Sequence, residues 1–442
     1  PAGPHGHDPG ESRGHQVARE RTCAGRRERT VWCRRDVGGA RPWLYLLLGL
    51  LFLSACGGRT SLLQPGTSTG PHSFWLPATG WPPLADDLAR DSLQLATQRS
   101  LEYARRLPPE RLLPFGDRQI PVRALVQTLE AFQQLLASAK TPLALHQALR
   151  EQFEVLQSPG RDTRGGVLFT GYYEIGLEGS VVPSAQFPYP VYKRPPDLAD
   201  PGSPTPLWPT SAALFNGPPA PSRGNAVYYT RREIDGEGKL RGRGLELFWL
   251  RNPVDGYFLH VQGSGQIRLP NGQLHRVGYA ASNGHPYASI GRILIEEGRV
   301  PRDGISLQSL RRYFREAPQD MTRVLYQNPR YIFFRPVDQG PQGNLGVLLV
   351  PGRSIAVDQS LFPPAGLAFV QMQQPVLNAQ GDITAWRPAS RFVFSHDTGS
   401  AITGPGRVDL FWGNGMQAEM AAGHMQHTGT LFFLLKRQPH GI

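Results

Sequence analysis

"HDTGSAITGPGRVDLFWGNG", residues 396 to 415, holds two aspartates twelve positions apart. Asp397 closes the apolar run "RFVFSHD" and opens a turn rich in Gly and Ser. Asp409 lies inside "RVDLFW", where polar and apolar residues alternate as a half-buried strand requires. The unit therefore reads strand, turn, strand, with one carboxylate entering the turn and another on the returning strand. A third aspartate, Asp358, ends "PGRSIAVD" in the same manner. A lone aspartate at such a place is commonly a turn former that accepts nearby backbone N–H groups. Three of them close together in the chain, beside the aromatic Phe411 and Trp412, look like a sugar-binding cleft.

Outward from this stretch, "GVLFTGYYE", "YPVYKR", "NAVYYT", "LELFWL", "GYFLHVQGSG", "RVGYAA", "YIFFRP", "NLGVLLV", "LAFVQM" and "TLFFLLK" are short aromatic or β-branched segments divided by turn residues. Each is expected as a strand. A proline-rich loop, 195–221, interrupts them, and "PYASIGRILIEEG" and "SLQSLRRYFREA" read as helices. From Leu84 to Leu156 apolar residues recur at three- and four-residue spacing, with breaks at Pro108-Pro109 and Thr141-Pro142. The fold class is mainly β with helical additions and an N-terminal helical region.

The N-terminal part carries an export layout. In "RPWLYLLLGLLFLSACGG", residues 41–58, a basic flank precedes an apolar run that ends in small residues. A membrane span needs about 20 apolar residues, and this run is shorter. Leu53-Ser54-Ala55-Cys56 resembles a bacterial lipobox, in which Cys56 becomes the lipidated N-terminus. Gly57 follows it, rather than the aspartate that retains a lipoprotein at the inner membrane. Residues 1–56 are thus expected as an upstream extension and signal, with a start at Val31 or Val37 and with Cys23 and Cys33 removed. Residues 57–83, rich in Gly, Pro, Ser and Thr, are expected as a flexible tether. The chain's formal charge of +12 has no run dense enough for a nucleic-acid arm; it suits work beside an anionic polymer or membrane.

Several chemistries drop out. No Gly-rich loop ends in Lys-Ser or Lys-Thr, and "QGSGQ" lacks the spacing of a nucleophile elbow. His424, His427 and Glu419 lack the one-face helical spacing of a zinc site, so no metal is expected. Asp-Thr-Gly suggests an aspartic protease, but such enzymes need two aspartates sharing a proton, from two motif copies or a symmetric dimer. The motif occurs once here, and the chain is longer than the homodimeric kind.

Taken in order, "FTGYYE", "YPVYKRPPDL", "VQGSGQIRL", "NGHPYASIGRILIEEG", "NPRYIFFR", "PGRSIAVD" and "DTGSAITGPGRVDLFWGNG" resemble the membrane-bound lytic murein transglycosylase A family, over about Phe169 to Leu435. Ile175 stands where many relatives carry proline, a departure that touches a turn and not the chemistry. The resemblance implies a double-psi β-barrel main domain, formed by 84–178 and 301–442, with a smaller β-domain, 179–300, inserted into it. It implies a groove between the two for a peptidoglycan glycan strand. By motif, Asp409 takes the place of the catalytic general acid/base, with Asp397 and Asp358 in support. Thr170, Tyr172, Tyr173, Gln262 and Ser264 are expected to line the groove. No cofactor is implied, and lipidation at Cys56 would place the protein on the outer membrane, facing the periplasm. The implied reaction cleaves the β-1,4 bond between N-acetylmuramic acid and N-acetylglucosamine without water, leaving 1,6-anhydromuramic acid ends. The alternatives are a non-catalytic glycan-binding lipoprotein and, remotely, the aspartic protease.

Overall fold

A computed structural model describes residues 73–76, 81–198, 227–301 and 305–438. All of these belong to one compact unit, Thr69–Ile442. Cys56, the signal and most of the proline-rich loop lie outside the described residues.

The chain first builds three helices, α1 (Arg90–Ala104), α2 (Val122–Ser138) and α3 (Pro142–Gln152). A short hairpin, β1 (Leu112–Phe115) and β2 (Arg118–Pro121), separates the first two. Thr141 caps α3 by accepting from the Ala144 N–H, and Pro142 occupies the first turn, where no amide partner is lost. Strand β3 (Phe153–Gln157) follows, then β4 (Val167–Ser180), fourteen residues that run through both lobes of the molecule. The second lobe adds β5 (Tyr189–Tyr192), β6 (Glu246–Leu250), α4 (Pro253–Gln262), β7 (Ser264–Arg268), β8 (Leu274–Ser282), α5 (Ile290–Glu296), α6 (Leu307–Glu316), α7 (Met321–Leu325) and β9 (Ile332–Pro336). The chain then returns as β10 (Ser354–Ala356), β11 (Leu367–Leu377), β12 (Ile383–Asp397), β13 (Arg407–Asn414), α8 (Gly415–His424) and β14 (Gln426–Lys436).

In the first lobe the strand order β14-β11-β12-β10-β13-β4 closes on itself, because β4 also pairs with β14. Two pairings of this six-stranded ring are parallel, β4 with β13 and β10 with β12; the rest are antiparallel. Closure leaves no free edge within the ring. Phe169, Phe369, Phe394, Val408 and Leu410 of the ring share one core with Leu93, Leu129 and Phe132 of α1 and α2. Two buried arginines lock the helical segment down. Arg353 donates to both carboxylate oxygens of Asp86, and Arg391 does the same to Asp87. These fork-to-carboxylate pairs are the strong kind, and they orient α1 against the barrel.

The second lobe uses the far half of β4. Ile175–Glu178 pair in parallel with β7, and Gly179 and Ser180 pair with β6. From β7 the sheet continues to β8 and β9, and a single Lys193–Phe334 bridge joins β9 to the end of β5. This lobe therefore takes in residues from Ile175 to Pro336, wider than the expected 179–300. The reason is packing: Leu307, Leu310 and Phe314 of α6, Val324 of α7, and Phe334 share one core with Ile175, Phe258 and Ile267.

Three further expectations change. "GYFLHVQ" is helical, not a strand, because Asn252 caps it, Pro253 starts it and Gly263 at φ 77° stops it. "NAVYYT" and "NLGVLLV" form no strand among their described residues. The tether also ends earlier than 83. Trp75 is 5% exposed, wedged near Phe115, Phe362 and Phe433, and Leu76 bridges to Gln157. Burying an indole stabilises by about 2–3 kcal/mol, enough to fasten a short segment to the barrel.

Candidate active site

The register of β10 brings the two aspartates of the opening stretch together. Ala356 pairs with Asp397 of β12 on one side and with Asp409 of β13 on the other. Two adjacent strand spacings put their Cα atoms about 10 Å apart across the small Ala356. Along β13, Val408 and Leu410 turn into the barrel core, while Arg407 and Asp409 take the opposite face. Asp409 is also the register partner of Thr170 on β4.

The environments of the two carboxyls differ. Asp397 accepts from the backbone N–H groups of Asn344 and Thr398, 2.9 Å each, and from the Tyr172 hydroxyl at 3.1 Å. Burial nevertheless pushes it up to about 6, because desolvation outweighs those donors; the charge of Asp409 adds to the rise. At Asp409, Oδ1 is buried and has no hydrogen-bond partner; the Arg407 guanidinium stands 3.6 Å away. Burial raises the Asp409 pKa, and Arg407 opposes the rise. Desolvation, and not the charge of Asp397, raises Asp409.

Asp358 is committed to the backbone. It accepts from the N–H and hydroxyl of Ser360 and, through Oδ2, from the Gly404 N–H at 2.7 Å. It thereby pins the loop that joins Asp397 to Asp409. Gly404, at φ 76°, supplies the left-handed backbone that this loop needs. On the opposite side Gly343 lets the chain pass against His396, since a methyl group there would collide with its carbonyl oxygen. That approach places the Asn344 amide on Asp397.

The groove between the lobes contains two adjoining cavities. One, of about 590 Å³, is lined by Tyr172, Gln262, Ser264, Tyr279, Asn344 and Asp397 among others. The other, of about 750 Å³, reaches Tyr287, Arg292, Arg407 and Asp409. His260, Val261, Arg330, Ile332, Gly399 and Ser400 line both. Tyr172, Gln262, Ser264 and both aspartates thus stand along one continuous groove. Thr170 lies beside Asp409 with a buried hydroxyl that has no partner, and it lines neither cavity. Tyr173 does not face the groove. Consecutive strand residues point to opposite faces, so with Tyr172 outward Tyr173 enters the second core, 1% exposed. The Gln262 side-chain oxygen accepts from the Tyr173 N–H at 2.9 Å, which ties α4 to β4.

Sequence comparison agrees with the architecture. Residues 168–335 match the MltA specific insert domain and residues 353–435 the 3D domain. Membrane-bound lytic murein transglycosylase A of Vibrio cholerae is 32% identical over 286 residues, 64% of this chain and 68% of its own. The chain belongs to the membrane-bound lytic murein transglycosylase A family. A crystal structure of a membrane-bound lytic murein transglycosylase from Agrobacterium tumefaciens is similar at 33% identity and a TM-score of 0.63, covering 80% of this chain and 94% of that one. The Escherichia coli MltA structure with bound chitohexaose is similar at 25% identity and a TM-score of 0.59, covering 77% and 89%.

Sequence reading of this family member overlooked four groove residues: His260, Arg330, Asn344 and Arg407. Three carried a faint signal, since His260 directly precedes "VQGSG", Arg330 sits in "NPRYIFFR" and Arg407 begins "RVDLFW". Asn344 carried none; only folding brings its backbone to Asp397.

Proposed function

We infer that this chain is a lytic murein transglycosylase acting on peptidoglycan, with Asp409 as its general acid and base. The observation that supports this best is the buried Oδ1 of Asp409, which has no hydrogen-bond partner at the wall of the groove. A hydrolase of the usual kind sets a second carboxylate to activate water or to attack the sugar. Of the other groove carboxylates, Asp397 already holds three donors and Glu296 is paired with Arg292 at 2.8 Å, so we give Asp397 a supporting part.

In the proposed reaction, protonated Asp409 gives its proton to the glycosidic oxygen as the N-acetylglucosamine leaves. The C6 hydroxyl of the N-acetylmuramic acid then bonds to its own anomeric carbon, and its proton returns to the Asp409 carboxylate. The product is the 1,6-anhydro sugar, and no water is consumed. Burial keeps the acid protonated to higher pH than an exposed aspartate would allow. Holding the sugar so that its own hydroxyl reaches C1 supplies much of the remaining rate. We assign the six-stranded ring to a double-psi β-barrel, a reading supported by its two parallel pairings.

We also propose that lipid on Cys56 holds the protein at the outer membrane, facing the periplasm. The curated relatives are named membrane-bound, and among the described residues no helix is long and apolar enough to cross a membrane. The deciding experiment is mass spectrometry of purified sacculi digested by wild type and by Asp409→Ala. Wild type should release anhydro ends and the folded variant none. Reducing ends would make the enzyme a hydrolase, and intact sacculi with bound protein would leave a glycan-binding lipoprotein.

A further inference from the structure

His260 stands in the last turn of α4, at the wall shared by the two groove cavities. Its Nδ1 is 3.0 Å from Nη2 of Arg231. A guanidinium has only donors, so Nδ1 must be the accepting nitrogen, and the ring proton of a neutral imidazole is then on Nε2. Arg231 has no freedom to release this arrangement. It is 2% exposed, donates to the carbonyls of Asn328 and Arg330, and lies between the rings of Tyr257 and Tyr331. Burial, and then the Arg231 charge, hold the imidazole pKa well below its usual range, so the ring remains neutral. Tyr331 meets it edge-on at 4.3 Å and Phe334 packs at 5.5 Å, which fixes the ring plane.

Nε2–H is left without a hydrogen-bond partner among the described residues. The neighbour along this wall, Arg330, is likewise a pure donor, with one arm on the His285 carbonyl. A wall of this kind calls for acceptors. On a murein strand the strongest uncharged acceptors fixed to the sugar ring are the N-acetyl carbonyl oxygens, since each hydroxyl also brings a proton of its own.

We propose that His260, locked as its Nε2–H tautomer by Arg231, is a substrate-binding residue that recognises an N-acetyl carbonyl of the glycan between the Asp397 and Asp409 ends of the groove. This deepens the transglycosylase reading and rests on the glycan lying in that groove. A permanently neutral donor grips a carbonyl without adding a charge beside an acid that must hold its proton.

The test is titration calorimetry of the full chain with chitohexaose and with cellohexaose, which carries a hydroxyl in place of each N-acetyl group. His260→Phe, which keeps an aromatic ring against Tyr331 and Phe334 but has no donor, should weaken chitohexaose binding about tenfold. It should leave cellohexaose binding unchanged. His260→Gln, which restores a donor amide, should recover most of the loss. The proposal is overturned if His260→Phe binds both sugars as wild type does or weakens both equally. It is overturned too if a folded His260→Gln, with an unchanged melting temperature, recovers nothing. Sacculus digestion by wild type, run alongside, judges the transglycosylase reading separately. Absent anhydro ends would remove that reading and leave the binding comparison standing.

Discussion

Replacing Arg407 with methionine should move the pH profile of this enzyme in a direction that Coulomb's law dictates. Arg407 is the cation set against the Asp409 carboxyl, 3.6 Å from Oδ1. At an effective dielectric of about 20, two full charges at that distance attract by about 4–5 kcal/mol. Both side chains are about a quarter exposed, 26% and 22%, so solvent screening reduces this. Exposed pairs contribute about 1 kcal/mol or less, which sets the lower bound. An intermediate value of about 1.4–3 kcal/mol corresponds to about one to two pKa units. Removing the cation destabilises the carboxylate, so the Asp409 pKa rises further and the acid stays protonated to higher pH. The alkaline limb of kcat/KM, followed by release of soluble anhydromuropeptides from sacculi, should therefore shift upward by about one to two pH units. Arg407→Lys should fall between the variant and wild type. A role in gripping substrate alone would lower kcat/KM at every pH without moving the limb. A limb that stays in place, or moves to lower pH, refutes the assignment of Asp409 as the acid tuned by Arg407.

The other expectations are simpler. Asp397 titrates at about 6 against an ordinary 3.8, so its contribution to stability is fully present below pH 3.8 and lost as pH rises through about 6. Asp397→Asn cannot ionise, and in urea titrations it should gain on wild type between pH 4 and 7, by up to about 3 kcal/mol; equal pH dependence in the two proteins counts against the buried carboxyl. Glu174, 1% exposed at the junction of the lobes, accepts from Gln266 at 2.6 Å and faces Arg276 at 3.3 Å. Glu174→Ala should lower unfolding free energy by about 2–4 kcal/mol, measured by chemical denaturation, because it leaves the Gln266 and Asn414 amides and the Arg276 charge without their acceptor. Cys56→Ser should move the protein from the membrane fraction to the soluble one, or leave its signal uncleaved; unchanged fractionation of a protein whose signal has been removed would place the anchor elsewhere.

Much of the local structure was legible because its causes are local. Alternation along "RVDLFW" depends on which face of a strand each residue takes, and β13 follows it. The helical periodicity of "VRALVQTLEAFQQLLAS" became α2 for the same reason. The reading failed where local and distant causes compete. "GYFLHVQ" is aromatic and β-branched enough for a strand, yet the Asn252-Pro253 start and the packing of Val254, Tyr257 and Phe258 into the second core make it helix. Tyr172 and Tyr173 were both expected in the groove, although neighbouring strand residues cannot share a face.

By itself, the sequence determined the family motifs, most of the strands and turns, and the three aspartates of the proposed site. Each of those is a matter of residue type and short spacing. Only the tertiary structure decided what surrounds each aspartate. Ala356 sets Asp397 and Asp409 on either side of one strand, a relation between segments more than forty residues apart in the chain. Asp397 fills its lone pairs from Asn344, Thr398 and Tyr172, Asp358 turns to the backbone of its loop, and Asp409 keeps a buried oxygen at the groove with no hydrogen bond, only the Arg407 charge nearby. The protonation of a carboxyl follows from its desolvation and its donors, and both are supplied by residues that meet only when the chain folds.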